Sequence, residues 1–129
     1  DATGDLSRVD KQLKTMGKDF MQLTGNDDNA LEFNKRGGVG AIGVTANVAA
    51  KLSSEFQKAC LDDIDLAQSL DKLLQPLHTA LFIESNPSPV KYAASLLKMC
   101  SPSVRLPLVE IREETKQKVL EALKKAKLL

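Results

Sequence analysis

The sequence predicts an α/β fold in which two βα units are followed by a region built of helices. Two short apolar segments, residues 20–24 and 39–44, are each followed by a pattern of helical period, which is the order of a βα unit. Two such units in succession imply parallel strands. After Thr45 no strand candidate of comparable quality appears, and helical periodicity takes over. We therefore expect a mostly helical chain.

The first predicted element is a helix that lies before both strands. Its apolar residues are spaced three and four apart, at Leu6, Val9, Leu13 and Met16. Asp5 is placed to cap this helix and Gly17 to end it. These signals define one amphipathic helix with a single apolar face.

The two βα units follow this helix. The segment 20–24 suits a buried strand that enters a turn, in which Asp27 and Asp28 can cap the next helix. That helix is short, from residue 29 to about residue 36, because two glycines stop it. Residues 39–44 resemble a second buried strand, whose glycines permit close approach of a neighbouring backbone or a ligand.

Four helices are predicted in the remainder of the chain. Apolar residues mark them from Val48 to Ala59, from Ile64 to Leu81 and from Val90 to Cys100. The last helix has acidic residues at its start and lysines at its end, as the helix dipole favours. We assign residues 1–60 to the βα units and residues 61–129 to a helical region.

Composition excludes several classes of partner. The 129 residues carry 18 Lys and Arg against 17 Asp and Glu, a net charge of +1, so no large field of one sign indicates nucleic acid or an anionic membrane. The apolar stretches are too short to cross a bilayer. Cys60 and Cys100 lack the spacing of a zinc site and suit reduced thiols in the cytoplasm. We expect a cytoplasmic chain with no metal and no cofactor.

Five motifs together resemble one known family. They are DATGDLSRV at residues 1–9, TGNDD at 24–28, RGGVGAIGVTANVAA at 36–50, PLHTALFIESNPSPVKYA at 76–93 and RLPLVEI at 105–111. They cover essentially the whole chain and arrive in the family's order. On these motifs the chain is similar to the pyruvate-dependent aldolases of the dihydrodipicolinate synthase family, in which Lys-(Asp/Glu)-Ala-Thr-Gly ends a barrel strand.

The resemblance implies a fold and an activity. It implies the C-terminal portion of a (β/α)8 TIM barrel, namely its last two βα units, followed by a C-terminal helical region; a complete barrel takes about 250 residues. The Schiff-base lysine would directly precede Asp1, so this chain would hold no catalytic residue and be inactive alone. The complete enzyme would condense pyruvate with L-aspartate-4-semialdehyde in lysine and diaminopimelate biosynthesis. Its partners would be the N-terminal part of the barrel and further copies of itself.

Two residues would bind substrate by this resemblance. Ile42 matches the residue that contacts pyruvate, although from the residues alone it is a packing residue of the barrel interior. Gly25 matches a position where the backbone approaches the substrate, although from the residues alone it is a turn glycine. His78, the sole histidine, is expected to be structural. Asp27 and Asp28 are expected to cap a helix, with contact near the substrate as the alternative.

Two other functions stay open. The chain could be a non-catalytic fragment that associates with itself or serves as a scaffold through exposed strand edges. It could also belong to an aldolase like N-acetylneuraminate lyase, a family that has Ser-Thr-Tyr-Asn where this chain reads Val44-Thr45-Ala46-Asn47. That difference favours the synthase over the lyase.

Overall fold

The protein is built mainly of helices. The computed structural model describes residues 1–129 and contains six α-helices, α1 (Ser7–Met16), α2 (Ala30–Lys35), α3 (Ala50–Asp62), α4 (Ile64–Ala80), α5 (Ser88–Leu96) and α6 (Glu113–Lys125). Two 3-10 helices, Asp27–Asn29 and Thr45–Asn47, precede α2 and α3. None of these helices is both long enough and apolar enough to cross a membrane. The predicted order of helices is confirmed.

Helix α1 begins and ends where the sequence indicates. The Asp5 carboxylate accepts a hydrogen bond from the Ser7 N–H at 2.9 Å, next to the first turn. Hydrogen bonds from the side chain and then the backbone of Ser7 lower the pKa of this carboxyl. Gly17 ends the helix with φ 87°, a conformation that glycine adopts without steric cost. Val9 is fully buried, whereas Met16 at the end of the same face is exposed.

Two extended segments, residues 22–25 and 39–42, run parallel to each other. They share one parallel bridge between Thr24 and Ala41. The Thr24 N–H donates to the Gly40 carbonyl at 3.0 Å, and the Ile42 N–H donates to the Thr24 carbonyl at 2.8 Å. The parallel orientation predicted for the two βα units is therefore confirmed.

Asp1 pairs with the segment 22–25 on the side opposite to residues 39–42. The Asp1 nitrogen donates to the Leu23 carbonyl at 2.7 Å, and the Gly25 N–H donates to the Asp1 carbonyl at 2.7 Å. This pattern of hydrogen bonds is that of a parallel pair in which Asp1 lies opposite Thr24. Three segments therefore lie side by side, with residues 22–25 in the middle.

The prediction that the two apolar segments are buried strands is wrong in this chain. Met21 and Val39 are exposed, and Ile42 is 74% exposed. Burial of a parallel strand requires cover on both faces, and here only one face meets the helices, where Ala41 and Val44 pack against the core. The pairing is also confined to a single bridge, which is too short to form regular strands.

The core lies among the helices. It is one cluster of 16 buried residues, with α4 at its centre between α3 and α6. Leu74 and Leu77 of α4 are almost completely buried, as are Val119 and Leu123 of α6. The cluster draws residues from both sides of residue 60, so the two predicted regions share one core. The boundary at residue 60 itself stays a prediction.

Candidate functional site

The structure brings the two predicted substrate-binding residues side by side. Because Thr24 is bridged to Ala41, the next residues along, Gly25 and Ile42, are lateral neighbours. On the other side of Gly25 lies Ala2, whose Cβ would be 3.0 Å from a Cβ added at Gly25. Ala2, Gly25 and Ile42, from three parallel segments, therefore lie next to one another in a row.

These residues belong to a face that no element of the chain covers. A Cβ added at Gly40 would lie 3.0 Å from Leu23 Cδ2, so these two residues share one side of the paired segments. Side chains alternate along an extended segment, which places Gly25 and Ile42 on the same side. We call Ala2, Leu23, Gly25 and Ile42 the open face; Gly40 lies on the same side but is itself buried. Uncovered apolar surface of this kind marks a site of contact with a ligand or another chain.

Hydrogen bonds and an ion pair within residues 1–8 connect the segment that begins at Asp1 to α1. The Asp1 carboxylate accepts a hydrogen bond from the Thr3 N–H at 2.8 Å and forms an ion pair with Arg8 of α1. The Thr3 hydroxyl in turn accepts from the Asp5 N–H at 3.2 Å. The first motif of the sequence therefore folds into a turn that links the open face to α1.

Asp27 connects the two paired segments just beyond the open face. Its Oδ2 accepts hydrogen bonds from the Val44 N–H at 2.7 Å and the Thr45 N–H at 2.9 Å. These amides lie at the start of the 3-10 helix Thr45–Asn47. The expected cap on the helix after the turn is wrong: neither the 3-10 helix containing Asp27 nor α2 has a side-chain cap. Asp27 already lies inside the turn that leads to α2, and its carboxylate reaches the neighbouring segment.

His78 lies behind this loop, in the middle of the molecule. Its Nδ1 is 2.7 Å from the Thr45 hydroxyl, and both side chains are buried. A cleft of about 540 Å³ adjoins it, lined by Gly25, Asn26, Asp27, Asp28, His78, Thr79, Phe82 and Ile83. The chain contains no cluster of three or more His, Cys, Asp or Glu side chains that could hold a metal ion. The contact between His78 and Thr45 links α4 to the loop that follows Ile42.

Burial controls the charge of His78. Desolvation lowers the pKa of its imidazole, while the nearby carboxylates of Asp27, Asp71 and Asp28 oppose that shift. The neutral ring is therefore favoured at neutral pH. A neutral imidazole can accept a hydrogen bond at one nitrogen and donate at the other, which suits the short contact with Thr45.

We expect the chain to lose stability as the pH falls below about 6.5, the ordinary pKa of histidine. The unfolded chain takes up a proton at His78 near that pH, whereas the folded chain resists it, so the unfolded state binds more protons and is stabilised relative to the folded state. Urea unfolding at pH 7.5 and pH 5.5 measures the difference. His78→Asn keeps a polar group near Thr45 but does not titrate, and should show a smaller decrease. An equal decrease in both proteins would contradict the assignment.

The family resemblance nominated Gly25 and Ile42 as site residues, but the sequence analysis missed the link between Asp27, Thr45 and His78. One local signal was available, because Gly43 directly follows Ile42 and a glycine there permits close approach. In the structure a Cβ at Gly43 would lie only 1.7 Å from Asp27 Oδ1. The partner of His78 had no such signal, since Thr45 and His78 are far apart in the chain.

The chain is similar along its whole length to enzymes of one kind. The 4-hydroxy-tetrahydrodipicolinate synthase of Pelagibacter ubique (strain HTCC1062) is 62% identical over 133 residues, covering 100% of this chain and 45% of the relative. That of Parvibaculum lavamentivorans is 53% identical over 130 residues, with the same coverage. The chain thus spans about 45% of the length of the curated relatives it matches.

Solved structures of barrel enzymes agree with these relatives. Dihydrodipicolinate synthase from Thermotoga maritima superposes with a TM-score of 0.94 at 34% identity, covering 100% of this chain and 45% of that chain. The chloride-inhibited enzyme from Acinetobacter baumannii, complexed with pyruvate, has a TM-score of 0.92 at 35% identity, again covering 100% of this chain and 45% of that one. The sequence model described as the dihydrodipicolinate synthetase family matches residues 1–126. The chain, aligned with that family from Asp1 almost to its last residue, belongs to it.

Proposed function

We propose that this chain is the C-terminal part of a 4-hydroxy-tetrahydrodipicolinate synthase. The complete enzyme would be a class I aldolase-type lyase that condenses pyruvate with L-aspartate-4-semialdehyde on the route to diaminopimelate and lysine. Residues 1–60 would supply the last two βα units of its barrel, and residues 61–129 its helical region. As a biosynthetic enzyme it would work in the cytoplasm. The observation that supports this most is the register of Asp1 against Thr24.

That register decides where a residue preceding Asp1 would lie. Asp1 is opposite Thr24, so the residue before it would be opposite Leu23. Lateral neighbours in a parallel pair point to the same side, which here is the open face. A lysine at that position would therefore extend over the face that carries Gly25 and Ile42.

The chemistry of the family requires an amine at such a place. The amine adds to the ketone carbon of pyruvate and expels water to form an imine. Loss of a methyl proton then yields an enamine that attacks the aldehyde carbon of the second substrate. Ile42 would form an apolar wall beside the pyruvate, and Gly25 would let the backbone approach it without a Cβ.

The isolated chain should not perform this reaction. A chain that began at Asp1 would lack this lysine, and Leu23 and Ile42 of its open face are exposed to solvent. A reactive lysine needs an enclosed pocket in which desolvation lowers its pKa. The N-terminal part of the barrel would provide both the lysine and the enclosure, and would be the first partner of this chain.

Reduction with borohydride in the presence of labelled pyruvate tests the proposal. The complete protein, with the chain joined to its upstream part, should trap pyruvate as a carboxyethyl-lysine at the residue just before Asp1. The isolated chain and a complete protein with that lysine replaced by alanine should both remain unlabelled. Label in the isolated chain, or none in the complete protein, would contradict the proposal.

A second candidate function is that of a self-associating or scaffold fragment. The exposed open face and the short, unprotected edges of the paired segments favour it, because such edges template contact between chains. The same trapping experiment separates the two candidates. A stable complex with the upstream part that never traps pyruvate would favour the scaffold.

A further inference from the structure

The short loop that follows Ile42 makes an unusual number of hydrogen bonds to side chains from other parts of the chain. Residues 43–45 lead from the proposed pyruvate contact, Ile42, into the first residue of the 3-10 helix Thr45–Asn47. Within these three residues, two backbone amides and one hydroxyl are bound by side chains from other segments. Buried backbone groups need a hydrogen-bond partner within the protein, and here side chains from two other segments provide it.

Asp27 provides the first attachment. Its Oδ2 receives both the Val44 and the Thr45 amides, and hydrogen bonds to an ionised acceptor are roughly twice as strong as those between neutral groups. The three atoms nearest to a Cβ added at Gly43 all belong to the Asp27 carboxylate, at 1.7, 2.4 and 2.7 Å. Only glycine at residue 43 therefore permits the carboxylate to occupy this position.

His78 provides the second attachment. Thr45 is fully buried, and its hydroxyl is 2.7 Å from His78 Nδ1. His78 belongs to α4, the helix at the centre of the core. The loop after Ile42 is thereby connected to the most deeply buried helix of the protein as well as to the turn after Gly25.

We propose that Asp27 and His78 are positioning residues that fix the backbone behind Ile42 and so set the apolar wall at the right distance from pyruvate. This rests on the proposed function, because it assumes that Ile42 faces pyruvate. Neither residue contacts the reacting atoms. Asp27 couples the ends of the two paired segments, so Gly25 and Ile42 keep their mutual spacing.

The test compares steady-state kinetics of variants in the complete enzyme. Asp27→Ala should raise KM for pyruvate about tenfold with little change in kcat, because a misplaced contact weakens binding of substrate and transition state alike. KM for the aldehyde substrate should change by less than about twofold. Asp27→Asn, which keeps one acceptor oxygen, should give an intermediate value, as should Thr45→Val, which removes only the hydroxyl that meets His78.

Val119→Ala is the matched control. Val119 is fully buried in α6, away from the loop, so this substitution lowers stability without touching the wall. It should leave KM for pyruvate unchanged. If Asp27→Ala does not fold, the intermediate values of Asp27→Asn and Thr45→Val carry the test.

The outcomes separate the two proposals. Wild-type enzyme that fails to trap pyruvate with borohydride would overturn the proposed function and this inference with it. Wild-type enzyme that traps pyruvate, together with unchanged or equally raised KM values for both substrates in the Asp27 and Thr45 variants, would overturn the positioning role alone. A rise in KM for pyruvate in Val119→Ala equal to that in Asp27→Ala would also overturn it.

Discussion

Ile42→Asp in the complete enzyme should weaken pyruvate binding by roughly a hundredfold. The new carboxylate would stand beside the carboxylate of the ketoacid, and two like charges about 5 Å apart repel by roughly 3 kcal/mol at an effective dielectric constant of about 20. Since 1.4 kcal/mol corresponds to about a tenfold change in affinity, this predicts a large rise in KM for pyruvate. The measurement is KM together with the yield of borohydride-trapped pyruvate.

Ile42→Asn separates charge from loss of apolar contact. It has the size and polarity of the aspartate variant without the charge, so it should raise KM by only about tenfold through the lost apolar contact. Because Ile42 is 74% exposed in this chain, neither substitution should lower the stability of the isolated chain by more than about 0.5 kcal/mol. Unchanged affinity in Ile42→Asp would remove this residue from the pyruvate site.

Gly43→Ala should destabilise the chain when residue 27 is Asp and stabilise it when residue 27 is Ala. In the wild-type chain the added Cβ would collide with the Asp27 carboxylate and displace it from the Val44 and Thr45 amides, at a cost of about 1 to 3 kcal/mol. With Asp27→Ala already present the obstacle is gone. Gly43→Ala should then stabilise the chain by about 0.4 to 1 kcal/mol, because alanine restricts the unfolded state.

Urea unfolding of the four proteins in this double-mutant cycle measures the coupling directly. We expect an interaction energy of about 1.4 to 4 kcal/mol between residues 27 and 43, which is the difference between the two effects of Gly43→Ala. Gly43 is not among the glycines with positive φ, so its backbone imposes no penalty of its own on alanine. Additive effects within about 0.5 kcal/mol would show that the two residues are independent.

The helices could be predicted closely because their signals are local. Apolar spacing and the glycine after α1 placed that helix almost to the residue, and the same reasoning found α3, α4 and α6. Pro76 lies inside α4 without ending it, since burial of Leu74 and Leu77 on either side outweighs one missing backbone hydrogen bond. The order of the helices thus follows from short-range patterns.

The state of the two apolar segments could not be predicted in the same way. Their composition indicates strands covered on both faces, but cover depends on what other segments lie nearby. In this chain helices cover one side, where Ala41 packs, and nothing covers Ile42. Ile42, which from the residues alone is expected to pack in the interior, is therefore 74% exposed in this chain.

By itself the sequence determined the succession of helices and the parallel sense of the two segments, and its resemblance to a family nominated the two candidate residues Gly25 and Ile42. Only the tertiary structure decided that these two lie side by side with Asp1 in register, and that the Asp27 carboxylate binds the Val44 and Thr45 amides while Thr45 meets His78. The reason is physical. Periodicity and turn chemistry act within a few residues, whereas these contacts join residues separated by 17 to 33 positions, and only folding brings them together.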